Sequence, residues 1–194
     1  MEFLTGLLFV LIFQKLFYIA DPFHLVLLSR PLFPFYVAVI AWLSAAAVYL
    51  TISIIDLKHQ IIPDGLNLSL VLIAFILIAS GFEKSFFGPA AEIFGFQNIN
   101  IWLNHFIAAI AALLFFTLIF FLWRGRGMGL GDLKLAAVSG FLLGWPDIIL
   151  VLILAFLTGA LTSVFLMIYK RKTLKDAVPF GPFLALGVFL VFFF

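Results

Sequence analysis

Apolar residues run almost unbroken along this chain, at lengths that only a membrane-spanning helix explains. Leu32 to Ile55 is a 24-residue stretch without a single charge. Crossing a hydrocarbon core about 30 Å thick takes about 20 apolar residues in a helix. Further mostly apolar segments lie at 3–20, 66–82, 101–123, 133–145, 147–169 and 180–194. The runs are continuous rather than alternating, which excludes a β-barrel, and only helices or closed barrels satisfy their backbone groups in lipid. The fold class expected is therefore all-α, a polytopic helical membrane bundle of six to seven transmembrane segments. Turn chemistry separates the segments at Asp21-Pro22, Pro31, Pro63-Asp64-Gly65, Gly88-Pro89, Gly125 to Gly131, Trp145-Pro146-Asp147 and Pro179 to Pro182. No internal repeat or low-complexity linker divides the chain, so 1–194 is expected to form a single membrane domain. The first segment does not read as a cleaved signal: it lacks a basic start and carries Gln14 and Lys15.

Composition removes several classes of function. The chain is 66% apolar and 10% charged, against about 45–50% and 25% in a soluble domain. Too little polar side chain remains to coat a water-facing surface, so lipid is the expected partner. A net charge of +2 is too small to imply nucleic acid. With no Cys there is no disulfide, thiolate metal site or Cys nucleophile. The three His, at 24, 59 and 105, lie in different segments and no H-E-x-x-H is present, so no metal is expected. There is no G-x-S-x-G elbow, and Ser139 reads as a packing residue. Gly129-Leu130-Gly131-Asp132 looks like half a nucleotide loop, but its acid has the wrong charge for a phosphate. No cofactor is expected.

Lys and Arg set the orientation. With 56–65 facing the cytoplasm, 124–134, 170–178 and the N-terminus face it too. Those regions hold Lys58, Arg124, Arg126, Lys134, Lys170, Arg171, Lys172 and Lys175, while the opposite side holds Arg30 and Lys84. Eight against two predicts N-terminus in, C-terminus out. Small residues predict helix contacts: a GxxxG pair at Gly140 and Gly144, a row at Ala155, Gly159 and Ser163, and Ala108, Ala111 and Ala112.

Ionisable groups at membrane depth are candidates for function. Of the nine acids, Glu2, Asp21, Glu83, Glu92, Asp147 and Asp176 lie at chain ends or in loops. Asp56, Asp64 and Asp132 remain, all on the predicted cytoplasmic side. Asp56 closes the long apolar run; the bland alternative is a surface carboxylate paired with a nearby Lys. Asp64, after Pro63, is expected to cap the third helix. Asp132 follows three glycines in Gly127-Met128-Gly129-Leu130-Gly131, more than a cap needs, and Gly permits close backbone approach or positive φ. The helix expected over 133–145 rises only about 20 Å, less than the core. Its start is therefore expected below the inner surface, in a wet cleft. Two carboxylates in such a cleft are the parts of an aspartyl protease, in which one holds a proton and the other activates water. Asp132, at a helix start, is expected to be the ionised base, and Asp56, at a helix end, the protonated acid.

At these residues the sequence resembles the bacterial type IV prepilin peptidases, within the GxGD intramembrane aspartyl proteases. The matching stretches are D-L-K-H-Q-I-I-P-D from Asp56 to Asp64, G-L-G-D-L-K from Gly129 to Lys134, and P-F-G-P-F-L from Pro179 to Leu184. Glu2 to Phe9 resembles the stretch that follows the cytoplasmic domain in longer relatives. The resemblance implies that Asp56 and Asp132 are the catalytic pair. It makes Gly129, Gly131, Asp64, Lys134, Pro179, Gly181 and Pro182 supporting residues of the motifs. It implies a multi-pass protein of the bacterial inner membrane with its active site on the cytoplasmic side. Substrates would be prepilins or pseudopilins of type IV pilus or type II secretion systems, cut between a basic leader and an apolar helix. Many relatives also carry a cytoplasmic domain with two Cys pairs and methylate the new N-terminus. This chain has no Cys, so it is expected to be a short member or a peptidase core, and not to methylate. The rival reading is a proton- or ion-coupled carrier using the same acids as relay groups. Carriers place their site near the midplane, often between repeated halves, whereas these acids lie toward one face. A catalytically silent assembly factor is the third reading.

Overall fold

The computed structural model describes residues 2–20, 32–81, 100–122, 129–169 and 178–193. Within them the only regular structure is helical: α1 (Glu2–Ala20), α2 (Leu32–His59), α3 (Asp64–Ser80), α4 (Ile101–Leu122), α5 (Leu130–Leu143), α6 (Asp147–Ile168) and α7 (Gly181–Phe193). Every apolar segment of the sequence became one helix. The parts of α2, α4 and α6 at 34–59, 101–122 and 147–168 are long and apolar enough to cross a bilayer, while 5–16, 64–80 and 181–193 are shorter apolar helices. Large side chains such as Ile40, Leu114, Phe121, Leu161 and Phe165 stand exposed on the outer faces. In water such a surface would drive association; in lipid it is solvated. The chain is an integral membrane protein, a polytopic helical bundle.

α5 is the hub of the bundle. It packs against α4, α3, α6 and α7, while α2 packs against α1, α3 and α7, and α6 lies along α7. Backbones approach closely where a side chain is missing. A Cβ on Gly140 would fall 2.7 Å from the Ala108 carbonyl oxygen of α4, and one on Gly187 2.7 Å from the Val151 carbonyl oxygen of α6. The predicted GxxxG pair divides its labour. Gly140 is the packing residue, whereas Gly144 has φ 79° and ends α5, its N–H donating to the Gly140 carbonyl at 2.8 Å. Ala155 is buried, and Gly159 faces the Phe183 ring, as the small-residue row predicts.

The helix starts and stops gather at two ends. One end joins the close of α2, the 60–63 connection and the starts of α3, α5 and α7. At the other end, Asn104 grips the backbone of Trp145, its Oδ1 accepting the Trp145 N–H at 2.6 Å and its Nδ2 donating to the Trp145 carbonyl at 3.0 Å. Lys15 donates to the Phe193 carbonyl at 2.9 Å, neutralising the negative end of α7. The predicted basic clusters at 124–126 and 170–175, with Arg30, Lys84 and His24, lie outside the described residues.

Candidate active site

Asp56 and Asp132 come from helices running in opposite directions, so their approach depends on register. Tyr49 lies seven residues before Asp56, and Ser139 lies seven residues after Asp132. Seven residues is about two turns, or about 10.5 Å of rise, and returns to nearly the same helix face. Tyr49 Oη and Ser139 Oγ meet at 2.8 Å in the core. The Ser139 hydroxyl donates to the Leu135 carbonyl at 2.8 Å, which leaves Tyr49 as the donor. Equal offsets from this bond carry both acids to the same level on facing sides of the two helices. Ser139, expected only to pack, is half of the bond that sets the level.

Asp56 is 4% exposed and its rotamer is held from a third helix. Its Oδ2 accepts the Gly181 N–H at 2.8 Å, at the start of α7. A Cβ on Gly181 would fall 2.7 Å from that same oxygen, so any larger residue there displaces the carboxylate or the start of α7. The preceding Phe180 fixes where this N–H points. Its ring packs on Phe116 of α4 at 5.7 Å and Phe156 of α6 at 5.2 Å. Its carbonyl takes the N–H groups of Phe183 and Leu184 at 3.0 and 3.1 Å. Pro182 falls in the first turn, where a missing N–H costs nothing, and Pro179 leads into it.

Asp132 is the third residue of α5 and half-buried. Its Oδ2 accepts the Gly129 N–H at 3.2 Å, while its own N–H donates to the Gly129 carbonyl at 3.2 Å. The helix begins earlier than expected, at Leu130, so Gly131 is helical rather than part of a loop. Neither Gly129 nor Gly131 has positive φ. Gly131 instead serves close approach: a Cβ there would lie 2.9 Å from Ile62 Cβ, and its absence lets α5 rest on the 60–63 connection. Both acids therefore accept a backbone N–H at a helix start. The dipole contrast expected from the sequence is not present, because α7 supplies a positive end beside Asp56.

Asp64 does not cap α3. Pro63 occupies the cap position with no side-chain bond, its carbonyl taking the N–H groups of Leu66 and Asn67 at 3.1 and 3.3 Å. The Asp64 carboxylate instead accepts from Lys134 Nζ at 2.6 Å, an exposed ion pair joining α3 to α5. His105 is buried at the far end, with Nδ1 donating to the Phe141 carbonyl at 2.8 Å. Among the described residues no three His, Cys, Asp or Glu gather to hold a metal. One buried polar side chain near the acids escaped the sequence reading. Asn67, 5% exposed, has no partner for either amide atom. The signal was available, since Asn67 heads an inner stripe completed by Leu70, Ala74 and Leu77.

A family model described as the type IV leader peptidase family matches residues 42–164. Among curated proteins, the chain is similar to a prepilin leader peptidase/N-methyltransferase of Legionella pneumophila, 29% identical over 83% of this chain and 52% of the relative. Proteins of the same description from Pseudomonas aeruginosa and Burkholderia pseudomallei (strain 1026b) are 30% and 32% identical, over 75% and 81% of this chain and 48% and 47% of their own. The chain thus spans about half the length of these relatives. No solved structure gives a significant match.

Proposed function

The chain belongs to the type IV leader peptidase family, and on that premise we propose that it is a membrane-embedded aspartyl endopeptidase. Its substrates are prepilins or pseudopilins, and it cuts at the cytoplasmic face of the bacterial inner membrane. The observation that carries this reading is the level, facing placement of Asp56 and Asp132 by the Tyr49–Ser139 bond. Two carboxyl groups that converge on one substrate bond do not both ionise readily, so the pair shares a proton. The ionised member takes a proton from water as the oxygen attacks the scissile carbonyl carbon. The protonated member donates to the carbonyl oxygen. The tetrahedral intermediate then collapses, the C–N bond breaks, and a proton passes to the departing nitrogen. The leader leaves as a carboxylic acid and the mature chain as a free amine. Gly181 N–H holds Asp56 through Oδ2, which leaves Oδ1 to turn over protons.

Purified protein incubated with a prepilin tests the reading, with product mass as readout. The intact chain should cut at the junction of leader and apolar helix. Asp56→Asn and Asp132→Asn should each lower the rate at least about a thousandfold, in the upper range for acid–base groups, while the folded protein is still recovered. Asn keeps size and polarity but cannot cycle a proton. An intact prepilin after incubation with the wild type, or full rate in either Asn variant, overturns the proposal.

A further inference from the structure

We propose that Asn67 binds the main chain of the substrate beside the scissile bond, an inference that rests on the peptidase reading above. Among the described residues the buried polar side chains are Asp56, Asn67, Asn104, His105 and Ser139. Each of the others has a hydrogen-bond partner: Asp56 with Gly181, Asn104 with Trp145, His105 with Phe141, and Ser139 with Tyr49 and Leu135. Asn67 has none at either Oδ1 or Nδ2. Leaving a buried amide unpaired costs on the order of 1–3 kcal/mol per group, and native interiors rarely keep one without a use.

Its place in the bundle says what the use is. α3 packs chiefly against two helices, α2 and α5, the ones that carry Asp56 and Asp132. Asn67 stands in the first turn of α3, on the face whose deeper members Leu70, Ala74 and Leu77 are buried. Asp56 stands in the last turn of α2 and Asp132 in the first turn of α5. All three lie at the same end of the bundle. Two contacts fix the height of α3 there: Asp64 binds Lys134, two residues after Asp132, and Ile62 sits on Gly131, one residue before it. Asn67 thus completes a triangle with the two acids, one corner on each helix.

The chemistry of the occupant follows from the reaction. The bond to be cut lies at the junction of leader and apolar helix, and its segment must lie extended for water to reach the carbonyl. Entry between the helices strips water from the N–H and C=O groups of that segment. A primary amide offers both complements at once, an acceptor and two donors. The molecule already uses this device at its far end, where Asn104 takes the N–H and the C=O of Trp145 at 2.6 and 3.0 Å. Asn67 makes the same paired contact with an extended substrate segment. Its amide is shut from solvent in the free protein, so substrate entry parts the start of α3 from the acids.

Asn67→Leu, close in size and apolar, tests this. In the substrate-free protein it removes an unpaired amide, so the midpoint of thermal unfolding in detergent should hold or rise. Steady-state cleavage of prepilin should lose at least about tenfold in kcat/KM, carried mainly by KM. In the Asp132→Asn background, binding of a fluorescent prepilin peptide should weaken by a similar factor. A fall of several degrees in the unfolding midpoint overturns the proposal, because it means the amide is satisfied within the protein or by a structural water. Wild-type kcat/KM in Asn67→Leu overturns it too, while leaving the peptidase reading standing. A wild type that does not cleave prepilin removes both.

Discussion

At the scale of single residues, Gly181 shows how a motif of unremarkable residues serves a carboxylate 125 positions away in sequence. Its N–H reaches Asp56 Oδ2 at 2.8 Å, and its missing side chain leaves room for the same oxygen. Gly181→Ala puts a Cβ 2.7 Å from that oxygen, so either Asp56 turns to another rotamer or α7 shifts. With Asp56 in the proposed catalytic role, the expected result is a kcat lowered at least about tenfold with KM little changed. A thermal readout independent of activity isolates the contact. Gly181→Ala should lower the unfolding midpoint when Asp56 is present and much less in an Asp56→Ala background, where the clashing carboxylate is gone. Equal losses in both backgrounds would place the strain elsewhere, because a double-mutant cycle reports only the pairwise term. The motif was visible in the sequence, but its role was not. A hydrogen bond across 125 residues leaves no local pattern, and the sequence around Asp56 shows only the negative end of its own helix, not the positive end that α7 brings beside it.

At the scale of helices, the decisive bond is Tyr49 to Ser139, which holds α2 and α5 in the register that levels the two acids. The two ends of that bond are not equivalent. Tyr49→Phe removes the donor, and Ser139 keeps its own bond to the Leu135 carbonyl. Ser139→Ala leaves the Tyr49 hydroxyl buried without its acceptor, which costs about 1–3 kcal/mol. Ser139→Ala should therefore destabilise the protein more than Tyr49→Phe, and both should slow cleavage. The comparison is made by thermal unfolding and initial rates in the same detergent; the reverse order of stability would mean that another group takes the Tyr49 hydroxyl. Helix existence was legible because hydropathy alone decides it in lipid: all seven segments are helices, with boundaries shifted by a few residues. Helix partners were only partly legible. Gly140 announced its contact with α4, but Gly187 gave no GxxxG spacing and still packs on Val151. Local turn chemistry favours Asp64 as a cap, whereas it meets Lys134, 70 residues on.

At the scale of the whole molecule, successive helices carry the chain back and forth between two ends, and the acids stand at one of them. The lysines Lys58 and Lys134 flank that end, while Asn100 precedes α4 at the other. The positive-inside bias read from the sequence, eight against two, predicts that the acid-bearing end faces the cytoplasm. The proposed function requires the same side, because a prepilin with its basic leader in the cytoplasm would present the bond to be cut there. The absence of Cys makes the assignment directly measurable. A single cysteine introduced as Lys58→Cys should react with a membrane-impermeant thiol reagent in inverted vesicles and stay unlabelled in intact cells. Asn100→Cys should show the opposite pattern. Labelling of both from one side would break the alternation of the helices. Exchange of the two patterns would turn Asp56 and Asp132 away from the leader and remove the cytoplasmic placement of the reaction.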